Sequence, residues 1–236
     1  MHRTLTIAKR ELVGYFNGPA AYIVICLFMV VMGLFFWNPF FLINRASVRS
    51  MFDLMSVLLL PTAPAMTMGL LAEEKRTGTL EVLLTMPLKD TEVVIGKFLG
   101  ALGLLFVLLL LTLPYPLSVA SLGNLDWGPV LSAYVAVFLQ GGAMLAIGLL
   151  ASSWTENQLI AFFTGGMVCF AFWILSRFLP FVPQGVASTL EWFSFDYHYE
   201  SMVRGVIDSR DVLFFLSITG FGLALAFRSL ESRRWS

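Results

Sequence analysis

Charge is what this sequence has least of. Of its 236 residues only 13% are Asp, Glu, Lys or Arg, while 58% are hydrophobic and the mean hydropathy is +0.83. Soluble domains carry about 25% charged residues, so the shortage excludes an ordinary soluble domain and places the chain in the membrane class. Fifteen basic residues balance fifteen acidic ones. No net field draws the chain to nucleic acid, and no nucleic-acid partner is expected. Histidine and cysteine are scarce too. Cys26 and Cys169 both fall inside apolar runs and read as small buried hydrophobes rather than a disulfide. His198 and Glu200 stand close together, but zinc needs three or four protein ligands, so no metal site is expected.

Catalytic motifs are also missing. No G-x-x-x-x-G-K-[ST] occurs. The nearest approach is "VVIGKFLG", where Phe98 follows Gly96-Lys97 and Thr91 stands in place of the first glycine. ATP is therefore not bound by that route, and nucleotide energy has to come from a partner. Neither H-E-x-x-H nor G-x-S-x-G is present. His2 and His198 both lie outside the apolar runs, and no polar catalytic pair falls inside one. The chain is read as no enzyme and as holding no cofactor of its own. Mid-span ionisable side chains, the marks of proton relays and ion pathways, are not apparent. That argues against an ion-coupled pump and fits a pathway for something bulky, amphipathic or polymeric, or no pathway at all.

What is present is a set of long apolar runs. A helix needs about 20 mainly apolar residues to cross the hydrocarbon core, and six stretches qualify: Pro19–Phe41, Phe52–Ala72, Val93–Leu117, Pro129–Ser152, Leu159–Leu179 and Val212–Phe227. The first exceeds a cleavable signal core of about 7–15 residues and reads as a retained span. The fold class is thus all-α integral membrane, one six-span domain over 1–236. Six spans put both termini on one side. With the N-terminus cytoplasmic, ten basic residues fall inside, Lys75, Arg76 and Lys97 among them, against five outside. The positive-inside rule therefore places both termini in the cytoplasm, and Trp37, Trp127 and Trp192 near the outer interface agree.

Some segments do not cross. Arg3–Asn17 reads as an amphipathic helix with Leu5, Ala8, Leu12 and Phe16 on one face and Arg3, Thr6, Arg10 and Asn17 on another. Such a helix lies among lipid headgroups, as an anchor or as a lever. Pro180–Asp211 alternates aromatic and acidic residues, which suits short helices dipping into the outer leaflet. Pro61 and Pro64 in span two and Pro114 and Pro116 in span three kink or break their helices. Gly141, Gly142, Ala146 and Gly148 in span four, with Gly165 and Gly166 in span five, allow close helix contacts.

One charged stretch interrupts the greasy chain: "LLAEEKRTGTLEVLLTMPLKD", Leu70–Asp90. On this topology it is the cytoplasmic loop between spans two and three. Thr77-Gly78-Thr79 supplies a turn with a hydroxyl able to cap the next helix. Leu80, Leu83 and Leu84 then form an apolar edge flanked by Glu73, Glu74 and Glu81, and Pro87 stops the helix. Two readings fit: docking into a groove on a cytoplasmic protein, or a solvated loop helix lying on its own protein.

"AEEKRTGTLEVLLTMP" resembles the cytoplasmic coupling segment of ABC-2 type ABC-transporter permeases, through Glu73, Glu74, Gly78, Thr79, Glu81, Leu83, Leu84 and Pro87. "KRELVGYFNGPAAYIV", "SSWTENQLIAFF", "RGVIDSRDVLFFLS" and "LESRRW" extend the similarity over nearly the whole chain, most like the subgroup associated with bacterial gliding motility. The resemblance implies an export permease of the bacterial inner membrane with a connecting helix (1–18), a coupling helix (73–90) and an outer re-entrant segment (180–211). Its implied partners are an ABC ATPase dimer carrying ATP and Mg, a second permease subunit in a homo- or heterodimer, an accessory envelope protein, and membrane lipids. The ATPase contact falls on Glu73–Pro87, Thr77 included, and a smaller one on Ser153–Gln158, with Thr155, Glu156 and Asn157.

Overall fold

The computed structural model describes residues 2–43, 47–79, 89–178, 181, 183 and 190–233. Those residues form helices and connecting turns, with no strand among them. The helices are α1 (His2–Asn17), α2 (Pro19–Ile43), α3 (Arg49–Arg76), α4 (Asp90–Leu111), α5 (Pro114–Leu122), α6 (Trp127–Trp154), α7 (Gln158–Phe178), α8 (Phe195–Val203) and α9 (Ser209–Arg233). Six stretches are long and apolar enough to cross a bilayer: Pro19–Asn38, Arg49–Arg76, Asp90–Leu122, Trp127–Trp154, Gln158–Phe178 and Ser209–Ser232. An α1 side and an α8 side of the bundle follow from this alternation. The protein is an all-α integral membrane protein.

α6 is the hub. Its most apolar window is 78% buried within the protein, against 28% for α2 and 17% for both α7 and α9. The last three keep wide apolar faces for lipid. Lipid tails offer no hydrophobic drive between helices, so contact is won by close packing at small residues. A Cβ added at Gly141 would stand 2.6 Å from Leu105, and one at Gly165 would stand 3.2 Å from the Gly148 Cα. One at Gly148 would run into the Thr67 hydroxyl. These glycines thus hold α3, α4 and α7 against α6, as the spacing predicts.

The prolines behave differently in the two spans. α3 runs through Pro61 and Pro64 unbroken, and the Thr62 and Thr67 hydroxyls donate back to the Leu58 and Ala63 carbonyls. Span three does break. α4 ends at Leu111, α5 begins at Pro114, and the Thr112 hydroxyl between them bonds the Leu109 carbonyl at 2.7 Å.

Three expectations change. The buried stripe of α1 centres on Ile7, while Leu5 is 61% exposed. The helix is rotated because it lies in a protein groove: a Cβ at Gly96 would touch Ile7, one at Gly100 would touch Glu11, and one at Gly103 would touch Leu12. Cys26 is exposed on α2 while Cys169 is buried, since α2 turns much of its surface outward. α8 packs on protein rather than lipid alone. Phe195 stacks on Phe172 at 5.0 Å, and the Tyr199 hydroxyl donates to the Phe52 carbonyl at 2.6 Å.

Candidate coupling site

On the α1 side, α3 reaches Arg76, a turn beyond the expected span, so Glu73–Arg76 form its last turn rather than the first turn of a separate helix. Helix ends leave carbonyls unpaired. Here the Thr77 hydroxyl donates to the Glu73 carbonyl at 2.9 Å and the Thr79 hydroxyl to the Glu74 carbonyl at 3.3 Å. The threonines therefore close the helix behind them; the segment they were expected to cap lies outside the described residues. Gly78 turns the chain with φ +73°, a left-handed conformation that costs glycine nothing and other residues strain. Glu81, Leu83, Leu84 and Pro87 lie outside the described residues.

The two acidic residues of the pair part company. Glu74 turns inward, where its carboxylate meets Lys97 Nζ of α4 at 2.7 Å; Lys97 also meets Glu11 of α1 at 3.1 Å and is 1% exposed. Arg10 adds a looser contact with Glu74 at 3.9 Å. One buried ammonium thus ties together α1, the end of α3 and the start of α4. Tyr15 adds a second tie from α1, donating its hydroxyl to the Met66 carbonyl of α3. Burial, then the nearby Glu11 charge, pushes the Tyr15 phenol far above its ordinary range, so it stays a donor.

Glu73 faces the other way. It accepts from Arg76 of its own turn and from the Gln158 side chain at the start of α7. Lys75 donates to the Ser153 carbonyl, which also accepts from Ser229 of α9 at 3.1 Å. Beneath these contacts Ser152 accepts from the Leu71 and Ala72 amides at 3.1 and 3.0 Å and donates to the Met68 carbonyl at 2.9 Å. The structure thus brings the two loops predicted to act together into one hydrogen-bonded joint. Glu156 and Asn157 are exposed beside it and Thr155 half-exposed. Asn157 caps α7, its side chain accepting from the Leu159 amide at 2.9 Å. Among the described residues of the first loop, Arg76, Thr77, Gly78, Thr79 and Lys89 stay open to solvent.

Lys97, Glu11 and Tyr15 were not singled out by sequence reasoning. Lys97 carried a usable signal. It stands inside an apolar run, where an unpaired charge is expensive and therefore has a partner, yet it reads equally well as a charge at a span end.

On the α8 side, His198 is buried with Nδ1 2.7 Å from Asp211 and Nε2 3.1 Å from the Trp192 carbonyl, its ring over Phe214 at 4.0 Å. Both ring nitrogens are thereby occupied in tying α8 to the start of α9 and to the Trp192 turn. Glu200 pairs instead with Arg204 and Arg49. The Arg204 hydrogen bond above all holds its carboxyl below the usual range. No cluster of metal-ligating side chains occurs among the described residues.

The family of ABC-2 family transporter proteins matches residues 37–226. No curated protein matches the chain significantly.

Proposed function

This chain belongs to the ABC-2 family of transporter proteins, and we propose that it is an export permease whose α1-side joint carries ATPase motion into the spans. Family membership makes it a multi-pass membrane permease subunit of an ABC transporter, with an ABC ATPase as partner. The finer reading is ours. The α1 side is cytoplasmic and the membrane is a bacterial inner membrane, in keeping with ten basic residues there against five. ATP and Mg are held, and ATP is hydrolysed, by the separate ATPase dimer. A second permease subunit, identical or related, completes the membrane unit.

The observation that carries this reading is the joint itself. Glu73 to Gln158 and Lys75 to Ser153 tie the two cytoplasmic turns together, and Lys97 ties that joint to α1. A push on 77–79 or 155–157 therefore moves α3, α4, α6, α7 and α1 as one unit, and α1 acts as a lever. The test is purification from native membranes in mild detergent, followed by Glu81→Arg and Leu84→Asp. A P-loop ATPase at one-to-one stoichiometry is expected, with ATP turnover lost in both variants while membrane expression persists. Unchanged turnover in both removes the contact.

A second reading is a mechanotransmitting subunit of an envelope or gliding-type complex that moves no cargo. The Tyr199–Phe52 bond favours it, because α3 then reaches the α8 segment directly. It predicts an envelope protein crosslinked to Pro180–Asp211. Cargo movement in vesicles with no such partner rules it out.

A further inference from the structure

α7 and α9 both pack on α6, and the groove left between them has a volume of about 660 Å³. Leu150, Ala151 and Trp154 of α6 form its floor; Val168 of α7 and Ile218 and Phe221 of α9 stand in its walls. The two hydroxyls in those walls are used within their own helices. Thr164 donates to the Ile160 carbonyl and Ser217 to the Phe214 carbonyl, each at 2.7 Å. The lining therefore offers a ligand no free donor.

The groove is long and narrow. Gly165 of α7 sits against Gly148 of α6. From that crossing Phe172 lies two turns along α7 away from the joint, and Trp154 nearly two turns along α6 toward it. At about 1.5 Å per residue the groove is about 20 Å long, so its mean cross-section is about 30 Å². A helix with its side chains is about 10–12 Å across and needs roughly three times as much. An extended methylene chain, with carbon contacts at about 4 Å, fits.

The joint end carries a charge. Ser229 of α9 donates to the Ser153 carbonyl at 3.1 Å, which sets Arg228 and Trp154 at one level. Phe214, Phe221 and Arg228 recur at two-turn intervals, so Arg228 continues the α9 wall. Arg228 is exposed and, among the described residues, has no ion-pair partner. Trp154 is 57% exposed. An indole and a guanidinium at one level mark the headgroup region of a bilayer. The far end is lined by Trp192 and Phe193.

We propose that this groove holds one acyl chain of a glycerophospholipid from the leaflet on the joint side, with the phosphate on Arg228. Bulk lipid wets any apolar face, because its tails are as apolar as the groove. What fixes one molecule here is a guanidinium, which pairs with phosphate through parallel hydrogen bonds, at the mouth of a slot one chain wide. The lipid then stands between α7 and α9, the two spans that the joint holds through Gln158 and Ser229. The inference goes beyond the permease reading and does not depend on any cargo.

The experiment uses the complex purified with its native partners and stripped of surrounding lipid by detergent exchange. It is titrated with dioleoyl-phosphatidylglycerol or with dioleoylglycerol, and retained lipid is counted by native mass spectrometry. One phosphatidylglycerol per permease chain is expected. It should be held about tenfold more tightly than dioleoylglycerol, and about tenfold more tightly than in Arg228→Gln, as one hydrogen bond to a charged group implies. Ser217→Trp fills the slot from the α9 wall and should abolish retention. Leu216→Trp, at an exposed position outside the groove, should not. Equal retention of the two lipids, unchanged binding in Arg228→Gln, or retention that survives Ser217→Trp overturns the proposal. If Ser217→Trp does not assemble, Val168→Trp fills the slot from the α7 wall and the same results decide. A photo-crosslinking p-benzoylphenylalanine in place of Ile218 is expected to capture phospholipid in native membranes; capture of a protein chain overturns the proposal. Retention of the ATPase subunit in each preparation reads the permease assignment independently of the groove.

Discussion

Lys97 Nζ lies 2.7 Å from the Glu74 carboxylate, with the Lys97 side chain 1% and the Glu74 side chain 21% exposed. The ammonium is out of water while its partners are not wholly so. Removing one member of a buried ion pair costs about 3–5 kcal/mol, because the other charge is left without compensation. Lys97→Met should therefore lower stability by roughly 3 kcal/mol, at the bottom of that range since water reaches both carboxylates. Adding Glu11→Gln and Glu74→Gln should recover most of the loss. Thermal unfolding followed by tryptophan fluorescence in detergent measures this, and a Lys97→Met single variant as stable as the parent sinks the account.

Gly148→Ala tests the meeting of α3, α6 and α7. The new methyl has to share space with the Thr67 hydroxyl, and overpacking a tight core costs about 1–3 kcal/mol. Gly166→Ala is the control, because its methyl would find only Pro64 Cγ at 3.9 Å. A lowered unfolding midpoint is expected for the first and no change for the second. Equal midpoints would mean that the helices separate at no cost.

Gln158→Ala removes the link from α7 to Glu73. One hydrogen bond to a charged partner contributes about 1.5 kcal/mol or more, so permease-dependent ATP turnover should fall by roughly an order of magnitude. Asn157→Ala, which frays the α7 cap, should fall less. The readout is steady-state ATP hydrolysis by the purified complex at matched subunit ratio. Turnover insensitive to Gln158→Ala would separate the two loops functionally.

Tyr15 makes a prediction in alkali. Its folded-state pKa is raised above the ordinary 10.0 by burial and by Glu11. A group raised in this way contributes stability that is complete below its unfolded value and is lost as pH rises beyond it. The parent protein should hold its unfolding midpoint from pH 6 to about 9, with a loss above about 10 as the unfolded phenol ionises. Tyr15→Phe should be about 1 kcal/mol less stable at pH 8 through loss of the bond to Met66, and should lose less on going to pH 11. Parallel alkaline profiles of the two proteins would show that Tyr15 is not held as described.

The spans were legible because their signal is local. Twenty apolar residues in a row need a helix across the bilayer whatever else surrounds them, and the six expected runs all appear as spanning helices. The glycines of spans four and five were legible for the same reason, as small residues repeated along one helix. The two proline pairs were half legible. The sequence predicts a kink or break for each, but only span three breaks: α3 runs through Pro61 and Pro64, while α4 ends at Leu111 and α5 begins at Pro114.

The coupling joint was legible as two loops and hidden as one object. Glu73 and Glu74 are adjacent in the chain and alike in type, yet one faces Gln158 and the other faces Lys97. Neighbouring helical residues point about 100° apart, so which one turns inward depends on how α3 is rotated against α1 and α4. The same rotation put Ile7 rather than Leu5 into the groove of Gly96, Gly100 and Gly103.

By itself the sequence determined an all-α membrane protein of six spans, and a P-loop is missing from it, because hydropathy and motif are properties of contiguous residues. Only the tertiary structure decided that Lys97 is matched across 86 residues by Glu11 and that Glu73 and Glu74, adjacent in the chain, take different partners. Partnership between charges in a low-dielectric bundle is settled by helix rotation and contact, which no contiguous stretch of chain records.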